Sequence, residues 1–556
     1  MNLFHYLEHP ASYWMAGLLK FWSSAWYRPL GGLIYLAIYH LFGFHALPFK
    51  IALFAILMAN MTIYFRAAGE LSGSKQIALW ALLLCSYHAA MNGLYLDFGT
   101  IYDVLGYTFY FSAFLVYAVS IREGKSPGFR VALIAGLYIA GLCCKEMVVT
   151  FPAVLAVYNL VLTGRLRSER WKWPLRSGLP ILICFALGAV YTAGKMTGPD
   201  TLAHDPNYAP HFTLHQFATI SASYIRELFY MPERLPTPTG ALWIIVSMLA
   251  IAMLLGSELM VFCVLCIVIA QLPVSFMAPR GAFAIYIPVA FWALYFAAAI
   301  DRALGFVRRP GAAQACFVTA AVLLAALHFH MKQLYDPNFT VQAGEYEAFS
   351  AQLDAWAVQP AAGARVLLMN DPFRADWIGW DPMFLINVRS NKTDIVVNRL
   401  KFATYAPPLS EIGIYDYLVD YDSGGWRLLK KPGMPLVIGQ RVRDLAGAAP
   451  VSLLDGFHPP AQSGMRQVDS VFRILTKAGN SVSMSLFAES PVRLSMSANG
   501  GPFIDEGIQK AGNFEMSIPL LTKDEPGHTL TFQAVDETGK PVVSQLSFMN
   551  AQVIAR

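Results

Sequence analysis

Six ionisable residues stand at the ends of apolar segments, where they could form one polar site at a membrane surface. They are three cations and three acids: Arg28, Lys145, Arg280, Asp97, Asp103 and Glu146. Cations at such a place can hold a lipid phosphate or diphosphate through charge-assisted hydrogen bonds. A carboxylate beside them can act as a general base toward an acceptor hydroxyl. These residue types therefore predict phosphate binding combined with proton transfer.

Anchoring in the headgroup layer is the alternative function for each of these residues. Arg and Lys often extend to lipid headgroups from the ends of helices, and this alternative stays open for Arg28 and Arg280. It explains Lys145 and Glu146 less well, because this pair interrupts a long apolar run over 129–164. Ionisable residues inside such runs are costly and usually functional.

The composition predicts a membrane domain followed by a water-soluble region. Hydrophobic residues make up 56% and charged residues 14% of the 556 residues, against about 45–50% and about 25% in soluble domains. Residues 1–331 hold 21 Lys+Arg and 13 Asp+Glu, a net charge of +8, and residues 332–556 hold 20 and 23, a net charge of −3. This pattern excludes a disordered chain and argues against a nucleic-acid-binding protein.

Ten segments are apolar and long enough to cross a bilayer, which takes about 20 residues. They are 47–66, 76–96, 101–121, 129–145, 148–164, 178–196, 239–256, 258–276, 283–301 and 312–331. Alternate connections between them are short and rich in Lys and Arg, with 13 such residues in all. The positive-inside rule places these connections in the cytoplasm. The segment 197–238 and everything after Lys332 then lie outside.

An even number of spans also places residues 1–46 outside, although no signal peptide precedes them. The aromatic stretch Ser12–Tyr27 is amphipathic and predicts a helix lying on the membrane surface. Either the N-terminus is translocated unaided, or a first transmembrane helix is missing from this chain.

Four regions are predicted along the chain. Residues 1–46 form outer amphipathic loops and surface helices, and 47–331 form the transmembrane domain. Residues 332–449 form an outer α/β linker domain, with strands over Arg365–Asn370, near 393–398 and near 413–420. Residues 450–556 contain short alternating runs separated by turns, which is typical of a β-sandwich. These six runs are Ser470–Thr476, Ser481–Ala488, Val492–Ser497, Phe514–Pro519, Thr529–Val535 and Val542–Phe548.

Neither the cysteines nor the histidines predict a metal site. All seven cysteines fall inside apolar segments, without His or Cys partners at ligand spacing. The segment 197–238 holds His204, His211 and His215, but no acidic partner stands at ligand spacing in a clear helix. No cofactor is therefore predicted, and a divalent metal is not indicated.

Four motifs in order over residues 15–300 resemble those of bacterial GT-C type membrane glycosyltransferases, the protein O-mannosyltransferase-like superfamily. They are Tyr27-Arg28-Pro29-Leu30, Asp103 opening an aromatic span, Lys145-Glu146-Met147, and Pro279-Arg280 with Tyr286. The resemblance implies a GT-C-like fold in the inner membrane, with the C-terminal domain in the periplasm. It also implies transfer of a sugar from a polyprenyl-phosphate carrier to a protein, lipid or glycan acceptor.

The resemblance further implies roles for individual residues. Those expected to bind phosphate or substrate are Arg28, Lys145, Arg280, Asp97 and Tyr286. The resemblance assigns catalytic or acceptor contacts to Asp103 and Glu146. The family's catalytic carboxylate lies in the first outer loop, where this chain has only Glu8. A misassigned start, a truncated or non-catalytic homologue, or a role for Glu8 or Asp103 would each explain this departure.

Two other functions compete with the transferase. A non-catalytic envelope scaffold, with the β-rich region binding a partner, is the first alternative. A lipid or sugar transporter is the second, and it predicts ionisable residues at mid-membrane and a repeat between halves. The sequence shows neither feature, because its charges cluster at one interface.

Overall fold

The computed structural model divides the chain into two compact units, Met1–Phe339 and Thr340–Arg556, each taken here by itself. In the first unit the structure describes residues 28–43, 45–124, 128–165, 173, 177–197, 210–305 and 311–335. Beyond these it describes 337–369, 371–373, 381–390, 392, 394–399, 405–406, 412, 414–422, 425–434, 451–454, 457–458, 466–476, 481–519, 528–542 and 545–554.

Helices form the described part of the first unit. They are α1 (Pro29–Phe42), α2 (Ala46–Ser72), α3 (Lys75–Cys85), α4 (Ile101–Arg122), α5 (Gly128–Leu142), α6 (Phe151–Val161), α7 (Leu179–Thr197), α8 (Leu214–Phe229), α9 (Pro238–Leu254), α10 (Glu258–Ser275), α11 (Tyr286–Gly305) and α12 (Ala312–Tyr335). Short helical turns occupy Ala89–Met91, Gly93–Leu96, Phe98–Thr100, Glu146–Thr150 and Ala282–Ile285.

The described residues contain six helices that are long and apolar enough to cross a membrane, besides five shorter apolar ones. Each of the ten predicted segments corresponds to one of these helices. The chain is thus a multi-pass membrane protein, and the predicted fold class of a helical membrane domain followed by a strand-rich region is confirmed. The second predicted segment is shorter than expected, because α3 ends at Cys85 and extended backbone at His88 follows it.

Helix α1 is an apolar helix that was not among the ten predicted segments. Pro29 occupies its first turn, where a missing N–H costs nothing and the fixed φ angle suits a helix. Gly31 lies against the ring of Tyr102, and a Cβ atom there would come within 2.3 Å of the Tyr102 Cδ1 atom. The close approach of α1 to α4 therefore requires glycine at this position.

The buried core of the first unit is aromatic. Tyr107 of α4 stacks on Tyr286 of α11 with ring centroids 4.2 Å apart. Tyr64 of α2 donates a hydrogen bond to the carbonyl of Ala290 at 2.6 Å. Helices α4 and α11 are the most buried spans, whereas none of the apolar window of α12 is buried. The contact between Tyr107 and Tyr286 joins α4 to α11, and the first turn of α4 contributes to the site described below.

A small α/β sheet opens the second unit, beside helices α13 (Pro337–Ala355) and α14 (Asp381–Ser390). Its strands run in the order β2-β1-β4-β5, with β1 parallel to β2 and β4. Strand β5 pairs antiparallel with β4. The predicted strands near 365–370, 393–398 and 413–420 correspond to β1, β2 and β4. The four strands are β1 (Arg365–Met369), β2 (Val396–Arg399), β4 (Tyr417–Asp422) and β5 (Gly425–Lys430).

The remaining strands form a six-stranded sheet, β11-β10-β13-β8-β6-β3, and a four-stranded sheet, β12-β9-β14-β7. Alternate side chains such as Val482, Met484 and Leu486 are buried, as expected for strands with one face on a core. These strands are β3 (Tyr405–Ala406), β6 (Val451–Leu453), β7 (Arg466–Gln467), β8 (Val471–Thr476), β9 (Ser481–Ala488), β10 (Val492–Ala498), β11 (Ile504–Gln509), β12 (Gly512–Pro519), β13 (His528–Val535) and β14 (Leu546–Ile554).

Candidate functional site

Five charged side chains from four separate places in the chain meet at one end of the helices. We call them the charge cluster: Arg28, Asp103, Lys145, Glu146 and Lys195. Each lies at or near a helix end. The backbone supports this convergence, since the N–H of Leu30 donates to the carbonyl of Cys143 at 3.2 Å. The start of α1 is thereby joined to the break between α5 and α6.

Arg28 and Glu146 form a forked ion pair. The Arg28 Nη2 atom lies 3.0 Å from Glu146 Oε2, and Nε lies 3.2 Å from Oε1. The guanidinium also stands 5.6 Å from the ring centroid of Tyr102, within the distance at which a cation is attracted to an aromatic face. Both side chains remain about one fifth exposed, so a ligand can reach them.

Lys145 pairs with Asp103, and this pair is more deeply buried. The Lys145 Nζ atom donates to Asp103 Oδ2 at 2.9 Å, and the carboxylate is only 6% exposed. Helices pack closely here, since a Cβ atom on Gly106 would lie 3.0 Å from the Cβ of Lys145. Removing one member of such a buried pair leaves an uncompensated charge, which is strongly destabilising.

Lys195 is the member of the charge cluster that the sequence analysis missed. Its Nζ atom lies 3.8 Å from Glu146 Oε1 and 5.7 Å from the ring centroid of Tyr191, and its side chain is 5% exposed. Lys195 stands near the end of the apolar helix α7. The rule that ionisable residues in apolar spans are functional candidates would have found it.

The charge cluster carries three cations and two carboxylates, an excess of one positive charge. Because it is largely buried, these charges interact more strongly than they would in bulk water. The two carboxylates hold the cations in place. An entering phosphate can take over those contacts, and a carboxylate released in this way becomes able to accept a proton.

Arg280 lies in the turn after α10 and is partly buried. Tyr224 of α8 lies within electrostatic range of both Arg280 and Asp103. Arg280 and the charge cluster thus share Tyr224 as a neighbour.

The other predicted site residues have different surroundings. Asp97 accepts a hydrogen bond from the N–H of Gly99 at 2.7 Å, which caps the short turn Phe98–Thr100. Tyr286 is packed in the aromatic core against Tyr107. Glu8 lies outside the described residues. Asp97 thus caps a turn, and Tyr286 fills part of the core. Only the Asp97 side chain can be removed without leaving a cavity in the core.

Replacing Asp97 with Ala should destabilise the protein by about 1 kcal/mol, the usual cost of a lost cap. Asp97→Asn keeps an oxygen acceptor and should retain the stability. Thermal unfolding of the purified proteins checks both values. An Asp97→Ala protein that is as stable as the parent protein would contradict this capping role.

No group of three or more His, Cys, Asp or Glu side chains that could hold a metal ion occurs among the described residues. His211 and His215 are described, whereas His204 lies outside the described residues. The cysteines are free thiols, and Cys263 and Cys266 are buried within α10.

The chain is thus a multi-pass membrane protein with a buried, positively charged site at one end of its helices. No family model and no curated protein matches the sequence. Solved structures do match it, at low similarity. ArnT from Cupriavidus metallidurans bound to undecaprenyl phosphate matches at 13% identity and a TM-score of 0.38, over 66% of this chain and 75% of that one.

Two named sugar transferases match over longer stretches. The archaeal oligosaccharyltransferase AglB from Archaeoglobus fulgidus, in complex with an inhibitory peptide and a dolichol-phosphate, covers 93% of this chain and 87% of its own, at 9% identity and a TM-score of 0.34. Arabinosyltransferase EmbB from Mycobacterium smegmatis covers 90% and 57%, at 10% identity and a TM-score of 0.22. They agree with the predicted resemblance to glycosyltransferases. Their TM-scores are low, and no role is carried over from them to this chain.

Proposed function

We propose that this protein is a membrane glycosyltransferase that moves a sugar from a polyprenyl-phosphate carrier to an acceptor hydroxyl. The acceptor belongs to a protein, a lipid or a glycan, and the reaction takes place on the periplasmic face of the bacterial inner membrane. The observation that supports this proposal is the charge cluster, in which three cations and two carboxylates meet at one end of the helices.

The cations have a defined role in this reaction. When the acceptor oxygen attacks the anomeric carbon, the bond between that carbon and the carrier phosphate breaks. The phosphate keeps the electron pair and gains negative charge. Arg28, Lys145 and Lys195 are positioned to stabilise that charge, and such preorganised stabilisation is usually the largest catalytic contribution.

The carboxylates supply the proton acceptor. The carrier phosphate competes with Glu146 for Arg28 and Lys195, which both lie beside this carboxylate. Once released, Glu146 can take the proton of the acceptor hydroxyl as a general base. Asp103 stays beside Lys145 and orients that cation toward the phosphate.

The length of α4 supports the assignment to the periplasmic face. Asp103 lies in the first turn of this 22-residue helix and Arg122 lies at its other end, so about 30 Å of helix separates them. That distance matches the hydrocarbon core of a bilayer. Arg122 pairs with Glu70 beside the basic connections, which the positive-inside rule assigns to the cytoplasm.

Replacing Arg28 with Ala should lower both carrier binding and sugar transfer by about tenfold to a hundredfold, the value of one charge-assisted contact. Arg28→Lys keeps the positive charge but cannot form the two-atom contact of a guanidinium. It should therefore recover only part of the carrier binding and part of the sugar transfer. Native mass spectrometry with undecaprenyl phosphate measures binding, and a panel of polyprenyl-phosphate sugars in nanodiscs measures transfer.

Arg122→Ala is the matched control, because Arg122 is also paired with a glutamate but lies at the opposite helix end. It should leave both measurements unchanged. If Arg28→Ala binds the carrier and transfers sugar as well as Arg122→Ala does, the charge cluster is not the carrier site and the proposal fails.

A further inference from the structure

The parallel strands of the small α/β sheet in the second unit are not added in a single direction across the sheet. Strand β2 lies on one side of β1, and β4 lies on the other. From β1 the chain crosses through α14 to β2 on one side, and it later returns to β4 on the other side of β1. In open α/β sheets, ligands bind outside the carboxyl ends of the strands at such a switch point. The crevice between the ends of β1 and β4 is therefore the expected ligand position.

A groove of about 460 Å³ opens at this position. Pro372, which follows β1, and Tyr421, near the end of β4, both line it. One face of helix α13 forms the opposite wall of the groove. The lining residues of α13 are three, four and seven positions apart, which places them on the same side of a helix. The residues on that face are Val341, Gly344, Glu345, Ala348 and Gln352.

The small residues on α13 give the groove its depth. A Cβ atom added to Gly344 would meet nothing within 4 Å, and Ala348 is exposed. The neighbouring face of the same helix is anchored in the core, because Phe349 and Leu353 are buried. The groove wall is therefore held rigidly while its surface stays open.

Aromatic rings form the apolar part of the groove. Trp426 packs against Phe349 with ring centroids 4.3 Å apart, and against Tyr421 at 5.0 Å. These contacts fix the indole, which lines the groove with its remaining surface. Rigid aromatic side chains provide a large contact area at a low entropic cost, and their faces suit the C–H face of a sugar ring.

The polar part of the groove consists of Glu345 and Gln352. Within the described part of the chain, neither side chain has a hydrogen bond or an ion pair. A carboxylate accepts hydrogen bonds, and an amide both donates and accepts them. No Lys or Arg is among the described residues that line the groove, so the chemistry of this part of the lining suits hydroxyl groups better than phosphates.

We propose that this groove binds a neutral oligosaccharide, with sugar rings stacked on Trp426 and hydroxyl groups bonded to Glu345 and Gln352. This site is separate from the charge cluster and requires no catalysis. Its test is a binding measurement made without any donor, so its failure would not bear on sugar transfer.

Binding is measured by saturation-transfer difference NMR on the full chain in nanodiscs, with cellohexaose, chitohexaose and α-1,6-mannohexaose as probes. At least one should bind, and Ala348→Phe should weaken that binding at least about tenfold by filling the groove. Ala351→Phe introduces the same ring on the same helix at an exposed position outside the lining. This control should bind like the parent protein.

A second pair of variants tests the polar contact without changing the size of the side chain. Glu345→Gln should weaken binding of the same oligosaccharide, whereas Glu347→Gln, an exposed neighbour outside the lining, should not. The proposal is overturned if none of the three oligosaccharides binds at millimolar concentration. It is equally overturned if Ala348→Phe binds as the parent protein does.

Discussion

The variant Lys145→Met should lose both stability and sugar transfer, whereas the double variant Asp103→Asn/Lys145→Met should regain the stability and remain inactive. Asp103 is 6% exposed, and its carboxylate bonds to the Lys145 ammonium at 2.9 Å. Leaving such a buried charge unpaired costs about 3–5 kcal/mol. The double variant removes both charges and with them this cost.

Sugar transfer should fall about a hundredfold to a thousandfold in the double variant, because a preorganised cation near the departing phosphate is lost. Thermal unfolding in nanodiscs measures the stability, and transfer from polyprenyl-phosphate sugars measures the activity. Lys75→Met removes an exposed lysine at the start of α3 and should change neither. A stable double variant with normal transfer would show that the pair is purely structural.

Replacing Glu146 with Gln should lower kcat by about a hundredfold or more without raising the KM for the carrier-linked sugar, since general bases contribute about 10²–10⁴-fold. The amide cannot accept the proton of the acceptor hydroxyl. It also holds Arg28 and Lys195 less strongly than the carboxylate does, so the carrier phosphate meets less competition. Loss of rate with equal or tighter carrier binding is the expected combination.

Glu70→Gln is the matched control for this experiment. Glu70 is also paired with an arginine, Arg122, and its side chain has the same exposed fraction of 22% as that of Glu146. Steady-state kinetics should show unchanged kcat and KM for Glu70→Gln. If Glu146→Gln keeps kcat and only binds the carrier more tightly, Glu146 merely competes with the phosphate for the cations and another group is the base.

Most of the membrane architecture could be predicted because the length and hydrophobicity of a span are local properties. Each of the ten predicted segments contains a helix, and strands such as β8 and β9 show the alternating burial that their sequence predicts. Helix α1 was not among the predicted segments, because Pro29 and the pair Gly31-Gly32 look like signals that end a helix. The structure uses them differently: Pro29 starts the helix, and Gly31 lets it pack on Tyr102.

The sequence by itself determined which residues were candidates for chemistry, since a charge in or beside an apolar run is visible without any knowledge of the fold. It identified Arg28, Asp103, Lys145 and Glu146 on that basis. Only the tertiary structure decided which carboxylate pairs with which cation, and it assigned Asp97 to a cap and Tyr286 to the core. The reason is physical: local hydrophobicity sets where a helix ends, but the packing of distant helices sets which ends meet.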